Sequence, residues 1–107
     1  MSKIFTDDNF DKEVIEASKT KPVLVDFFAA WCGPCKMQGP IVDQLSDEMG
    51  EEAIIGKVNV EEAAKISEQF GVMSIPTLII FNDGVAKETM TGLQSKDNLV
   101  TQIKKYL

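Results

Sequence analysis

Apolar residues recur along this chain in two rhythms, one helical and one of strand type. Phe10, Val14 and Ala17 fall at helical spacing. Thr6 followed by Asp7 and Asp8 predicts an N-cap with acidic residues in the first turn of that helix, where the dipole favours negative charge. Val23 to Ala30 is a nearly continuous apolar run behind Pro22, the pattern of a central strand buried on both faces. A second helix is predicted to begin near Pro34, since proline suits a first turn whose N–H groups have no intrahelical partner. Its stripe is Met37, Ile41, Leu45 and Met49, and it continues across Pro40, which predicts one helix kinked there rather than two. Ile54 to Val60 reads as the next strand. A helix from about Glu61 follows, with Ala63, Ile66 and Phe70 inward and Gly71 as its C-terminal cap. Thr77 to Phe81, opened by Pro76, is a strand, and Asn82-Asp83-Gly84 is a hairpin signal leading into another from Val85 to about Thr91. After Gly92, Ser95 caps a last helix with Leu99, Val100, Ile103 and Leu107 inward. Alternation of strand and helix, then a hairpin and a covering helix, predicts an α/β sheet layered between helices.

Composition works mainly by exclusion. The 107 residues contain no repeat or linker, so one domain spanning 1–107 is expected. Eleven Lys and Arg against seventeen Asp and Glu leave a net charge of −6, which repels phosphate backbones and argues against nucleic-acid binding. No run approaches the roughly 18–20 apolar residues of a membrane span, and the acidic N-terminus has no apolar signal core. A cytoplasmic, membrane-free protein is expected. Histidine is absent, which removes Ser-His-Asp and Cys-His nucleophiles, His-ligated metals and an imidazole pH switch.

Chemistry therefore falls first to the two cysteines, in Trp31-Cys32-Gly33-Pro34-Cys35 at a strand-to-helix junction. Helix geometry puts Cα atoms three residues apart at ~5 Å, within the range of a disulfide. So short a loop restrains little unfolded-chain entropy, and stability is a poor reason for the bond. Cys32 precedes the helix, where free N–H groups stabilise a thiolate, while Cys35 lies one turn inside, shielded and able to attack a mixed disulfide on Cys32. Two cysteines supply half of a zinc site, and Lys36 after Cys35 excludes C-x-x-C-H haem attachment. Redox exchange without metal or cofactor is the reading that survives.

Phe27 to Lys36, FFAAWCGPCK, resembles the active-site segment of the thioredoxin family, and Ile75-Pro76-Thr77 resembles its cis-proline segment. Asp26, Pro40, Lys57, Gly84 and Gly92 also stand where that family carries those residues. Phe28 replaces a tryptophan frequent in the family, and Glu61 and Ala63 stand where it often has Asp and Pro. The resemblance covers nearly the whole chain. It implies the thioredoxin fold, a mixed five-stranded sheet flanked by four helices in the order β-α-β-α-β-α-β-β-α. It also implies a monomeric protein disulfide reductase whose partners are disulfide-containing proteins and a thioredoxin reductase. Within that class an oxidant or isomerase is the alternative; outside it, a binding subunit whose thiols do nothing.

Asp26 interrupts the apolar run. It is either an edge residue reaching solvent or a buried carboxyl with a raised pKa, and the resemblance implies the second, with Asp26 taking the proton from Cys35. Lys57 reads as a solvated lysine on its strand; the resemblance instead places it beside Asp26 as a tuning charge. The resemblance makes the bond before Pro76 cis, leaving backbone groups of Ser74 and Ile75 to pair with an extended substrate. Trp31 is by type more often a core residue, but beside Cys32 it is expected to form an apolar rim for protein substrates, joined by Gly33, Gly71 and Met73, and Gly92 permits close backbone approach. Pro34 gives Cys32 neither an N–H nor a positive charge.

Overall fold

A computed structural model describes residues 1–107. Five strands, β1 (Lys3–Phe5), β2 (Val23–Phe28), β3 (Ile54–Asn59), β4 (Thr77–Asn82) and β5 (Val85–Thr91), form one sheet in the order β1-β3-β2-β4-β5. The β2 strand is central, parallel to β3 and antiparallel to β4, which explains why its sequence is apolar on both faces. The predicted β1 has a partner only in β3, and its three residues carry no periodicity from which a strand could be read.

Four helical elements cover the sheet. The first runs Asp11–Glu16 in π geometry and continues as a 3₁₀ turn, Ala17–Lys19. Thr6 and Asn9 pair reciprocally in the turn before it, Thr6 Oγ1 accepting from the Asn9 N–H at 3.2 Å and Asn9 Oδ1 from the Thr6 N–H at 2.8 Å. The helix starts later than expected, with Phe10 as its N-cap and Asp11 and Glu13, not Asp7 and Asp8, in its first turn. The others are α1 (Gly33–Met49), α2 (Ala64–Gln69) and α3 (Lys96–Lys104). One helix runs through Pro40, and Ser95 Oγ caps α3 by accepting from the Asn98 N–H at 3.1 Å. Ala63 before α2 has no side chain to cap with. Asp7 does it from across the fold, its Oδ1 accepting from the Ile66 N–H at 3.0 Å.

The three inner strands, β2, β3 and β4, feed two cores, one per face. Phe5, Phe10, Val25, Phe27, Ile79 and Phe81 pack with Val14, Ala63 and Ile66 on the face covered by the first helix and α2. Leu24, Ile55, Leu78 and Ile80 pack with Val42, Leu45, Leu99 and Ile103 beneath α1 and α3. Two inward assignments are corrected. Met37 and Leu107 are exposed, and the buried side of α1 is Cys35, Gln38, Val42, Leu45 and Met49. A stripe at strict four-residue intervals drifts about 40° round the helix per step, whereas alternating steps of three and four hold one face.

Candidate active site

Cys32 stands just outside α1 with extended backbone, φ −82° and ψ 116°, and is its N-cap. Its Sγ accepts from the Cys35 N–H at 3.2 Å, a bond that strengthens when the sulfur is a thiolate. The two residues are joined as a disulfide with a Cα separation of 5.2 Å, the spacing that helix geometry requires. Exposure does not distinguish them, at 5% for Cys32 and 6% for Cys35, so the expected shielding of Cys35 is not what makes the pair unequal. The inequality is one of field and donors. Cys32 lies at the positive end of the helix with an N–H aimed at its sulfur, and Cys35 lies within the first turn.

Behind the cysteines, β2 places Asp26 on the α1 side of the sheet. The residue is buried and neither carboxyl oxygen has a hydrogen-bond partner. Burial pushes its pKa up to about 7, opposed by the Lys57 charge and helped by Asp43. The solvent-facing alternative for Asp26 is thereby excluded. Lys57 is its register neighbour on β3, yet the ammonium is committed elsewhere: Nζ pairs with Asp43 Oδ1 at 3.1 Å. Asp43 also accepts from the Ser2 N–H at 3.3 Å and Ser2 Oγ at 2.5 Å. Against the upward push of partial burial, these donors hold the Asp43 carboxyl below its ordinary value. Lys57 therefore acts on Asp26 through space rather than by a bond. Asp26, Cys35, Gly39, Pro40, Asp43 and Lys57 line a common cavity of about 220 Å³, roomy and polar enough to hold water between acid and thiol.

On the outer side, the Ile75–Pro76 peptide is cis, and the Ile75 carbonyl oxygen lies 3.7 Å from Cys32 Sγ. Pro76 itself is buried. The Ile75 N–H has no partner within the chain, and the Ser74 carbonyl accepts from the Thr77 hydroxyl at 2.6 Å. The Ser74 carbonyl thus has one of its two acceptor positions filled. Trp31 is 69% and Met73 96% exposed, and Gly33, Pro34 and Gly71 are exposed as well. Gly92 is half-buried with φ +87° and donates its N–H to the Pro76 carbonyl at 2.9 Å. Glycine is needed there for that backbone angle as much as for closeness of approach.

These features coincide with one family. The thioredoxin family model matches residues 1–105. The chain belongs to the thioredoxin family. It is 45% identical over 107 residues to a thioredoxin of Rickettsia felis, the match covering all of both chains. Identity is 43% over 102 residues to thioredoxin 1 of Synechococcus elongatus, covering 95% of this chain and 94% of that one. With a thioredoxin of Chlamydia caviae it is 42% over 106 residues, 99% of each chain. The chain is a protein-disulfide oxidoreductase that works by dithiol–disulfide exchange through Cys32 and Cys35. No helix is long and apolar enough to cross a membrane. Three residues near these elements were not singled out in the sequence. Asp43 and Gln38 are a solvated-looking acid and a polar break in an apolar helix face, and Leu93 is an exposed apolar residue beside Gly92. Only Gln38 left a signal, being polar where the 3-4 spacing demands a core residue.

Proposed function

We propose that the chain acts as one thioredoxin domain over 1–107, with Cys32 as the attacking and Cys35 as the resolving thiol of a protein disulfide reductase. The Cys32 thiolate attacks one sulfur of a target disulfide, forming a mixed disulfide and releasing the other sulfur as a thiolate. The Cys35 thiolate then attacks Cys32 Sγ, closing Cys32–Cys35 and releasing the target's second sulfur with the electron pair. Asp26 accepts the Cys35 proton, directly or through water in the shared cavity, with a pKa near 7 suited to transfer at neutral pH. Lys57, held by Asp43, tunes that carboxyl by its charge. The observation that carries the reading is the Cys35 N–H aimed at Cys32 Sγ at the mouth of α1, which favours charge on Cys32 alone.

Protein substrates dock as an extended segment against Trp31, Gly33, Pro34, Gly71, Met73 and Gly92, pairing with the free Ile75 N–H beside Ser74 and Pro76. A thioredoxin reductase restores the dithiol, no bound cofactor takes part, and the protein works as a monomer in the cytoplasm, where a reducing poise keeps such a pair supplied with electrons. Cys32→Ser is expected to abolish reduction of a protein disulfide such as insulin. Cys35→Ser is expected to accumulate mixed disulfides with its substrates, visible on non-reducing gels. Equal trapping by both variants would overturn the assignment of roles.

A further inference from the structure

Gln38 is fully buried on the α1 face that otherwise carries Cys35, Val42, Leu45 and Met49. An aliphatic side chain would fill that place with no desolvation cost; a glutamine is sustainable because both halves of its amide are paired. Its Nε2 donates to the Gln94 carbonyl at 3.1 Å and its Oε1 accepts from the Gln94 N–H at 2.7 Å. One helix side chain thus pairs with both backbone groups of one loop residue, as a neighbouring strand would. The loop extends the network. Gln94 Nε2 donates to the carbonyls of Gly92 at 3.2 Å and Thr91 at 3.3 Å, and Asn98 Nδ2 donates to Gln94 Oε1 at 2.7 Å. From Gly92 the bond to Pro76 leads to Ile75, and Ile75 leads back to Cys32. The circuit starts on the redox helix at Gln38, one turn beyond Cys35, and ends at that helix's N-cap, Cys32.

We propose that Gln38 is a positioning residue for protein substrates. By clamping Gln94 it holds the Gly92–Leu93 wall in fixed relation to Ile75 and the cysteine pair, so the surface that receives an extended, disulfide-bearing polypeptide is formed before binding. Leu93 is the exposed apolar side chain this clamp presents. A preformed wall reduces the ordering cost of association, so its effect falls on substrate affinity and not on sulfur chemistry. A small disulfide that touches only the cysteines gains nothing from it. The inference rests on the docking rim proposed above.

The test compares Gln38→Leu, which fills the space but strands both Gln94 backbone groups, with Gln38→Glu, which keeps an acceptor for the Gln94 N–H. For insulin as substrate, Gln38→Leu is expected to raise KM roughly three- to tenfold, the scale of one or two lost hydrogen bonds, with kcat within about twofold. Gln38→Glu should give a smaller rise. In Gln38→Leu, which adds no charge, the rate on 5,5′-dithiobis(2-nitrobenzoate) and the reduction potential against glutathione should stay at the parent values. A folded Gln38→Leu with an unchanged insulin KM overturns the proposal. So do equal losses on insulin and the small disulfide, which would put Gln38 to work on the cysteines. Amide exchange in the unaltered protein tests it without any variant: Gln94 and Gly92 N–H groups that exchange as fast as an open loop overturn it. Trp31→Ala run alongside separates the two readings. If it raises KM while Gln38→Leu does not, the clamp alone falls; if neither raises it, the docking rim falls too.

Discussion

On one face of the sheet Phe5, Phe10, Phe27 and Phe81 are packed with Val14, Val25 and Ile79, and no ionisable group is buried among them. On the other, Leu24, Leu78, Ile80, Leu45 and Leu99 share their layer with buried Asp26 and Gln38, and the cysteine pair closes its end. Both faces draw on the same strands: in β2, Val25 and Phe27 serve the first and Asp26 the second. The aromatic face is where stabilisation accumulates. Phe10 alone meets Phe5 at 6.3 Å, Phe70 at 5.5 Å and Phe81 at 5.6 Å between centroids, edge-on or tilted, the arrangements that add to burial. On the α1 face two of the buried positions, Asp26 and Gln38, are polar instead.

That contrast can be broken most forcefully at Phe10. Phe10→Ala is expected to cost about 3–5 kcal/mol, measured as a fall in denaturant midpoint, while the reduction potential of the surviving folded protein stays unchanged. A shift in potential would mean the faces are not separate. Asp26→Asn works in the opposite sense on the other face. The unfolded carboxyl titrates near ~3.9, whereas the folded one titrates at about 7, so the native state holds a proton the unfolded chain releases between those values. Parent stability therefore falls as pH rises through that window and is flat beyond it. The gain from Asn should be near zero below pH ~4, grow with pH and level off above the folded pKa at about 2–4 kcal/mol. The same variant should slow resolution by Cys35. Denaturant midpoints with no such pH dependence would remove the buried carboxyl from the argument.

Smaller effects sharpen the comparison. Pro34→His adds a donor and a positive charge beside the Cys32 sulfur, and a charge-assisted bond worth about 1.5–3 kcal/mol raises the reduction potential by roughly 30–60 mV. Equilibration against glutathione buffers, read by emission of the sole tryptophan, Trp31, measures it. A potential that stayed put or fell would show that thiolate stabilisation does not set the reducing character. Asp7→Ala removes the cap of α2 from the aromatic side and should cost about 1 kcal/mol in midpoint with no change in potential.

Local signals in the sequence carried far. The apolar run of β2, Pro34 in the first turn of α1 and Ser95 before α3 each describe physics completed within a few residues. So does the hairpin turn, where Asp83 at φ +56° and Gly84 at φ +81° adopt the left-handed backbone that Asn-Asp-Gly favours. What stayed hidden is tertiary. The β1 strand is recognisable only through β3, where its Phe5 ring occupies the space a Gly56 Cβ would need. The partner of Lys57 is Asp43 because α1 passes over β3, a proximity no spacing rule reports. Cys32 and Cys35 were legible as a redox pair because their chemistry is local, whereas Gln38 matters through a loop 56 residues away.

The strand order also sets a timetable for synthesis. β1 has no neighbour until β3 has been made, and the Asp7 cap waits for Ile66, 59 residues downstream. Cys32 waits 43 residues for the Ile75 carbonyl. A growing chain therefore carries both thiols before the loop that faces them has been made. For that interval they are a dithiol on an unfinished polypeptide, and the docking surface proposed above is complete only when the proline loop arrives.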